Sequence, residues 1–96
     1  MTSKQRSALK ALASNLTPIT QIGKGGIGEN LIRSVSDALE ARELVKLTVL
    51  ETADGTPREI LDELAASLGA QPVAAIGRKI ILYRRSSRKD FDHIEF

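Results

Sequence analysis

The stretch Gly23-Lys24-Gly25-Gly26-Ile27-Gly28 packs four glycines into six residues, and no other segment restricts the chain's fold so strongly. Glycine carries no Cβ, so such a run lets backbone N–H groups come close to another molecule and allows positive φ. Ahead of it, Pro18-Ile19-Thr20-Gln21-Ile22 reads as a short strand; behind it, Glu29 to Arg42 is apolar at helical spacing. A strand, a glycine loop and a helix N-terminus in that order direct free N–H groups and the positive helix end outward. Lys24 adds a full charge, so the expected ligand is a phosphate group.

The rest of the chain reads as a scaffold for that loop. Thr2 followed by Gln5 predicts a capping box opening a first helix, with Leu9, Leu12, Ala13 and Leu16 as its apolar stripe and Asn15 and Pro18 ending it. In the second helix Leu31, Ile32, Val35, Ala38, Leu39 and Arg42 share one face. Leu44 to Glu51 predicts a strand, with Val45, Leu47 and Val49 on one side and Lys46 and Thr48 on the other. Thr56-Pro57-Arg58-Glu59 combines an N-cap, a first-position proline and a capping-box glutamate. The third helix then buries Ile60, Leu61, Leu64, Ala65 and Leu68 and stops at Gly69. Pro72 to Ile76 and Lys79 to Arg84 form a hairpin turning at Gly77-Arg78, where glycine suits a type II′ turn. The order α-β-α-β-α-β-β predicts a single compact α/β domain. Two parallel crossovers and a final hairpin give a mixed four-stranded sheet, with two helices on one face and the first helix on the other. The domain is expected over residues 1–86, and residues 87–96 read as a flexible tail without core-facing periodicity.

Charge placement says more than the net charge of +2. Residues 1–28 hold Lys4, Arg6, Lys10 and Lys24 and no acid, and residues 64–89 hold Arg78, Lys79, Arg84, Arg85, Arg88 and Lys89 and no acid. Residues 29–63 carry nine acids against four bases. This segregation predicts one basic and one acidic face, and hence a polyanionic partner. With no cysteine and one histidine, His93 near the C-terminus, thiolate chemistry and Cys-ligated metals are excluded and no cofactor or metal is expected. No apolar run approaches the length of a membrane span and no signal peptide is evident, so a cytoplasmic protein is expected.

Gly23-x-Gly25-x-x-Gly28 matches the spacing of the dinucleotide fingerprint, but the preceding strand, Ile19-Thr20-Gln21-Ile22, is half polar where that fold needs a strand buried on both faces. A P-loop is excluded because Gly25-Gly26 follows Lys24, leaving no hydroxyl for magnesium. The carboxylates fall mostly on helix surfaces, so no enzyme activity and no small-molecule substrate are expected. A Gly-x-x-Gly loop that lets a nucleic-acid backbone lie against protein backbone fits better. With only Tyr83, Phe91 and Phe96 as aromatics, shape and backbone recognition is expected over base stacking.

Four separated blocks carry a specific resemblance: Thr2-Ser3-Lys4-Gln5-Arg6, Gln21-Ile22-Gly23-Lys24-Gly25-Gly26, Glu40-Ala41-Arg42-Glu43-Leu44-Val45-Lys46, and Ile76-Gly77-Arg78-Lys79-Ile80-Ile81-Leu82-Tyr83-Arg84. Together they resemble the CRM domain in its stand-alone bacterial, YhbY-like form, over residues 2–85. The resemblance implies an RNA-binding module similar in fold to the C-terminal domain of the third bacterial translation initiation factor. It also implies association with precursors of the large ribosomal subunit. The family's loop falls on Gly23, Lys24, Gly25 and Gly26, while Ile27-Gly28 stands where relatives often place a hydroxyl N-cap. The expected RNA-binding residues are those four with Lys4, Arg6, Lys10, Arg78, Lys79 and Arg84, in a protein acting as a monomer. The competing reading is a protein-interaction adaptor in ribosome assembly, its acidic middle segment meeting another factor and RNA contact secondary.

Overall fold

Helix formation is governed by local signals. The computed structural model describes all 96 residues. Helix α1 runs Ser3–Ala13, with Thr2 Oγ1 accepting from Gln5 N and Gln5 Oε1 accepting from Thr2 N. Helix α3 runs Pro57–Leu68 with the same reciprocal pair at Thr56 and Glu59, and it ends at Gly69 in the left-handed region, φ 62°. Helix α2, Glu29–Arg42, has Gly28 as N-cap and no side-chain cap. Strands β1 (Gln21–Ile22), β2 (Leu44–Val49), β3 (Gln71–Ile76) and β4 (Lys79–Tyr83) form one sheet in the order β1-β2-β4-β3. β1 is parallel to β2, and β4 is antiparallel to both its neighbours. β4 therefore lies between the two strands joined by the α3 crossover.

Alternation along β2 and β4 divides the interior in two. Val45, Leu47, Val49, Ile80 and Leu82 face α2 and α3 in the main core, with Ile22, Val35, Leu39 and the five predicted residues of α3. Leu44, Ile81, Tyr83 and Val73 face α1, which contributes Leu9 and Ala13. Burying a Leu or Ile side chain contributes about 1.5–3 kcal/mol, so the larger cluster dominates stability and the smaller one fixes α1.

Three expectations are corrected. The α1 stripe is narrower than predicted: Leu12 and Leu16 remain 48% and 37% exposed, because the helix meets the sheet along only Leu9 and Ala13. Regular pairing in β1 covers two residues, although Ile19 N donating to Lys46 O at 2.8 Å and Thr48 N donating to Thr20 O at 3.1 Å extend the parallel contact upstream. The tail is seated rather than detached. The Glu43 carboxylate accepts from Ser86 N at 2.7 Å, Ile94 N at 2.7 Å and His93 Nδ1 at 2.5 Å, and Phe96 stacks edge-on against Tyr83. A fully buried carboxylate needs donors, and the returning tail supplies them.

Candidate nucleic-acid interface

The glycine loop is built from one turn and one tight contact. Gly26 N donates to Gly23 O at 2.9 Å, which makes Lys24 and Gly25 the exposed centre of the turn and puts Gly26 at φ 66°. A Cβ on Gly23 would come within 3.3 Å of Leu50 Cδ1, so this glycine lets the loop base sit against the end of β2. A Cβ on Gly25 would meet nothing within 4 Å. The first glycine thus serves packing, the third serves geometry, and the middle one is left without a structural task. The end of α2 is less receptive to an anion than its sequence predicts, because Glu29 occupies its first turn and already complements the helix dipole. The most open part of the loop is the Lys24-Gly25 segment.

Register places the rest. Gln21 pairs with Thr48, Thr48 with Lys79, and Lys79 with Ile76, so these four form a row across all four strands at the loop end of the sheet, on the side that carries α1. Neighbouring strands lie about 4.8 Å apart, giving the row a span of about 14 Å. Lys79 Nζ donates to Thr48 Oγ1 at 2.8 Å within it. The next row places Lys46 beside Ile81. Lys46 Nζ reaches the end of α1, donating to Ala13 O at 3.3 Å and Leu16 O at 3.4 Å, where a cation satisfies terminal carbonyls. Beyond it, α1 presents exposed Lys10, Arg6 and Lys4. Two grooves flank the helix and meet at Ser7 and Lys10, one lined also by Lys46 and the other by Arg6 and Arg58; no carboxylate lines either.

Of the sequence-predicted residues, Lys79, Lys10 and Arg6 therefore share the α1 side of the sheet, and the loop follows directly after Gln21 and Ile22 at the β1 edge. Arg78 joins them as a fastener. Its Nε donates to Val49 O at 2.6 Å and its Nη2 to Leu50 O at 2.7 Å, tying the hairpin tip to the residue that touches Gly23. The tip has Gly77 at φ 57°, as a type II′ turn requires. Arg84 does not belong. It sits at the far end of β4, about 16 Å along the strand from Lys79. Its guanidinium donates to Leu68 O at 2.9 Å, Ser36 O at 3.0 Å and Ser36 Oγ at 2.9 Å, with Glu40 at 3.7 Å. Arg84 bolts the end of α3 to α2, so the structure does not bring it together with the other predicted RNA contacts. Its place in an acid-free stretch of sequence gave no indication that those carbonyls would need a donor.

Sequence reasoning passed over Lys46 and Arg58 as contacts because both sit in the acidic middle segment. Strand alternation already placed Lys46 opposite Val45 and Leu47, on the α1 face. Away from the basic side, the polar chemistry is concentrated around Glu43. Burial pushes its carboxyl up, and the hydrogen bonds from His93 and from the backbone of Ile94 and Ser86 outweigh that and hold it below the usual range. The Tyr83 hydroxyl is pushed up, first by burial and then by the Glu43 charge.

Comparison with known proteins identifies the family. The chain is 41% identical over 86 residues to Probable RNA-binding protein YqeI of Bacillus subtilis, covering 90% of each. It is 31% identical over 86 residues to an RNA-binding protein of Haemophilus influenzae, covering 90% of this chain and 87% of the relative. Its fold is similar to the solution structure of the hypothetical protein SAV1595 from Staphylococcus aureus, with a TM-score of 0.78, 41% identity and 94% of each chain covered. The CRS1 / YhbY (CRM) domain model matches residues 1–84, which span every helix and strand described above. With both its sequence blocks and its sheet order accounted for in this way, the chain belongs to the CRS1 / YhbY (CRM) domain family.

Proposed function

We propose that this protein binds RNA as a cytoplasmic monomer and acts on the precursor of the large ribosomal subunit, gripping the RNA backbone with the Gly23–Gly26 loop and the basic side of the sheet. The carrying observation is the continuity of that side. The loop that carries Lys24 follows β1 at the sheet edge, Lys79 and Lys46 lie on the next strands, Lys10 and Arg6 follow on α1, and no carboxylate lines the grooves beside the helix. Ammonium and guanidinium groups so spaced neutralise successive phosphates, while the bare backbone at Gly25 allows a phosphodiester to approach. The names of the relatives and the resemblance of the loop to the family pattern support the same reading. Lys4 extends the basic side at the start of α1, and Arg78 holds the loop and hairpin tip together beneath the RNA.

The test is binding to a structured RNA across a salt series. Three to five phosphate contacts give a slope of log affinity against log salt of roughly −2 to −4.5. A flat response sinks the electrostatic grip. Association with pre-ribosomal particles is checked by co-sedimentation before and after RNase treatment: an RNA-bound protein is released, whereas an adaptor held by protein contacts stays.

A further inference from the structure

The groove between α1 and the β3–β4 hairpin has a chemistry that phosphate binding does not use. It encloses about 330 Å³ and is lined by Ser7, Lys10, Ala11, Ser14, Ile76 and Ile81, with Lys46 closing one end. Ile81 is buried at 1% exposure, whereas Ile76, at the end of β3, is 47% exposed and is the one large apolar side chain left open on the hairpin. Register explains this: Ile76 pairs with Lys79 in the open row, beyond the part of the sheet that α1 covers. The Lys10 ammonium has no ion-pair partner in the chain, and the Ser7 hydroxyl makes no hydrogen bond within it. An apolar slot rimmed by a free cation and a free hydroxyl suits a flat heterocycle with a polar edge and a phosphate at its back.

We infer that this groove receives a single unstacked nucleobase of the bound RNA, packed between Ile76 and the Ala11 side of α1, with Ser7 meeting the base edge and Lys10 and Lys46 the flanking phosphates. The inference rests on the proposed RNA-binding function and deepens it. RNA is favoured over an acidic peptide because the groove continues the cationic side that begins at the glycine loop. Proteins that read bulged RNA hold the unstacked base against a flat or apolar surface and hydrogen-bond its edge, most often on aromatic rings, and apolar side chains serve in base pockets as well. The protein would then discriminate a bulged helix from a continuous one with almost no aromatic side chains.

The experiment uses the full chain and three RNAs of one sequence: a continuous duplex, the same duplex with one bulged nucleotide, and the bulged duplex with an abasic residue at the bulge. The parent protein is expected to bind the bulged RNA about tenfold tighter than the abasic one. Ala11→Gln fills the groove from an exposed helix position, and Ile76→Ala removes its wall. Each is expected to bring that preference to about one while leaving duplex affinity, salt slope and circular dichroism unchanged. If the parent binds all three RNAs equally but with a steep salt dependence, the groove takes no base and the backbone grip stands alone. If it binds none of them, the RNA-binding reading itself fails, and this inference with it. An acidic peptide that binds the parent and is lost in both variants, without any base preference, places a protein partner in the groove and overturns the assignment.

Discussion

Gly26 and Glu43 share a positive φ, 66° in each, and little else. At Gly26 the space where a Cβ would stand is empty, and the residue belongs to a surface turn. Glu43 is fully buried and is the one non-glycine residue of the chain at positive φ, a conformation that costs about 1–3 kcal/mol. It is the single residue between α2 and β2, so the chain must reverse there in one step. The carboxylate offsets that strain by gathering Ser86, His93 and Ile94, and backbone bonds on both sides fix it, Glu43 N to Leu39 O at 2.7 Å and Arg84 N to Glu43 O at 2.9 Å. Positive φ with every polar group satisfied makes a structural node. Positive φ beside bare, open backbone leaves room for the ligand proposed above. The two regions should therefore fail in different assays.

The largest expected effect is on stability, at the buried node. Glu43→Ala keeps the strained φ and leaves the Ser86 and Ile94 N–H groups without their acceptor, and it is expected to cost about 3 kcal/mol in urea unfolding with unchanged slope. Glu43→Gly relieves the strain and should cost about 1 kcal/mol less. If the two are equally damaging, the backbone at this position is unstrained. RNA affinity of the folded protein should be unaffected in both.

Next comes Gly25→Asp, the mirror case. Its Cβ meets nothing within 4 Å and its φ lies outside the positive range, so stability should hold. RNA affinity should fall by at least thirtyfold, about 2 kcal/mol, because a carboxylate would occupy the path of a phosphate. Undiminished binding in filter or fluorescence titrations moves the RNA site off the loop.

Deleting residues 87–96 takes His93 and Ile94 from Glu43 and Phe96 from Tyr83. We expect a loss of about 1–2 kcal/mol and a drop in Tm of several degrees. Since the Glu43 carboxyl lies below its ordinary value of 4.5 in the folded protein, the stability it contributes is complete above that pH and lost as pH falls through the lower folded value. The difference between the parent and shortened chains should accordingly narrow as the pH falls below 4.5. An unmoved Tm at neutral pH returns the tail to the detached state that its sequence suggests.

Smallest is Lys24→Ala, which removes one charge from the loop and leaves its backbone open. Affinity should fall by about 0.5–1.5 kcal/mol and the salt slope by about 0.7–0.9. A loss as large as that of Gly25→Asp means charge, rather than close approach, governs the loop.

The sequence by itself determined what is decided within a few residues. Thr2 with Gln5, Thr56-Pro57 with Glu59, Gly69 and the Gly77 turn were all readable, because a cap or a tight turn is satisfied by partners three or four positions away. The bounds of α2 and the buried face of α3 followed from 3.6-residue periodicity, and the second face of β2 from alternation. The glycine loop was legible for the same reason, since its form depends on its own backbone. Only the tertiary structure decided that β4 would enter between β2 and β3, that α1 would cover too little of the sheet to bury Leu12 and Leu16, and that Arg84 would turn inward to carbonyls at Ser36 and Leu68. The junction at Arg42-Glu43-Leu44 has no glycine to mark the positive φ that the structure shows there, and nothing near it in sequence announced its partners. The residues that satisfy Glu43 lie 43 to 51 positions away, and a buried charge takes whatever donors the packed chain brings to it.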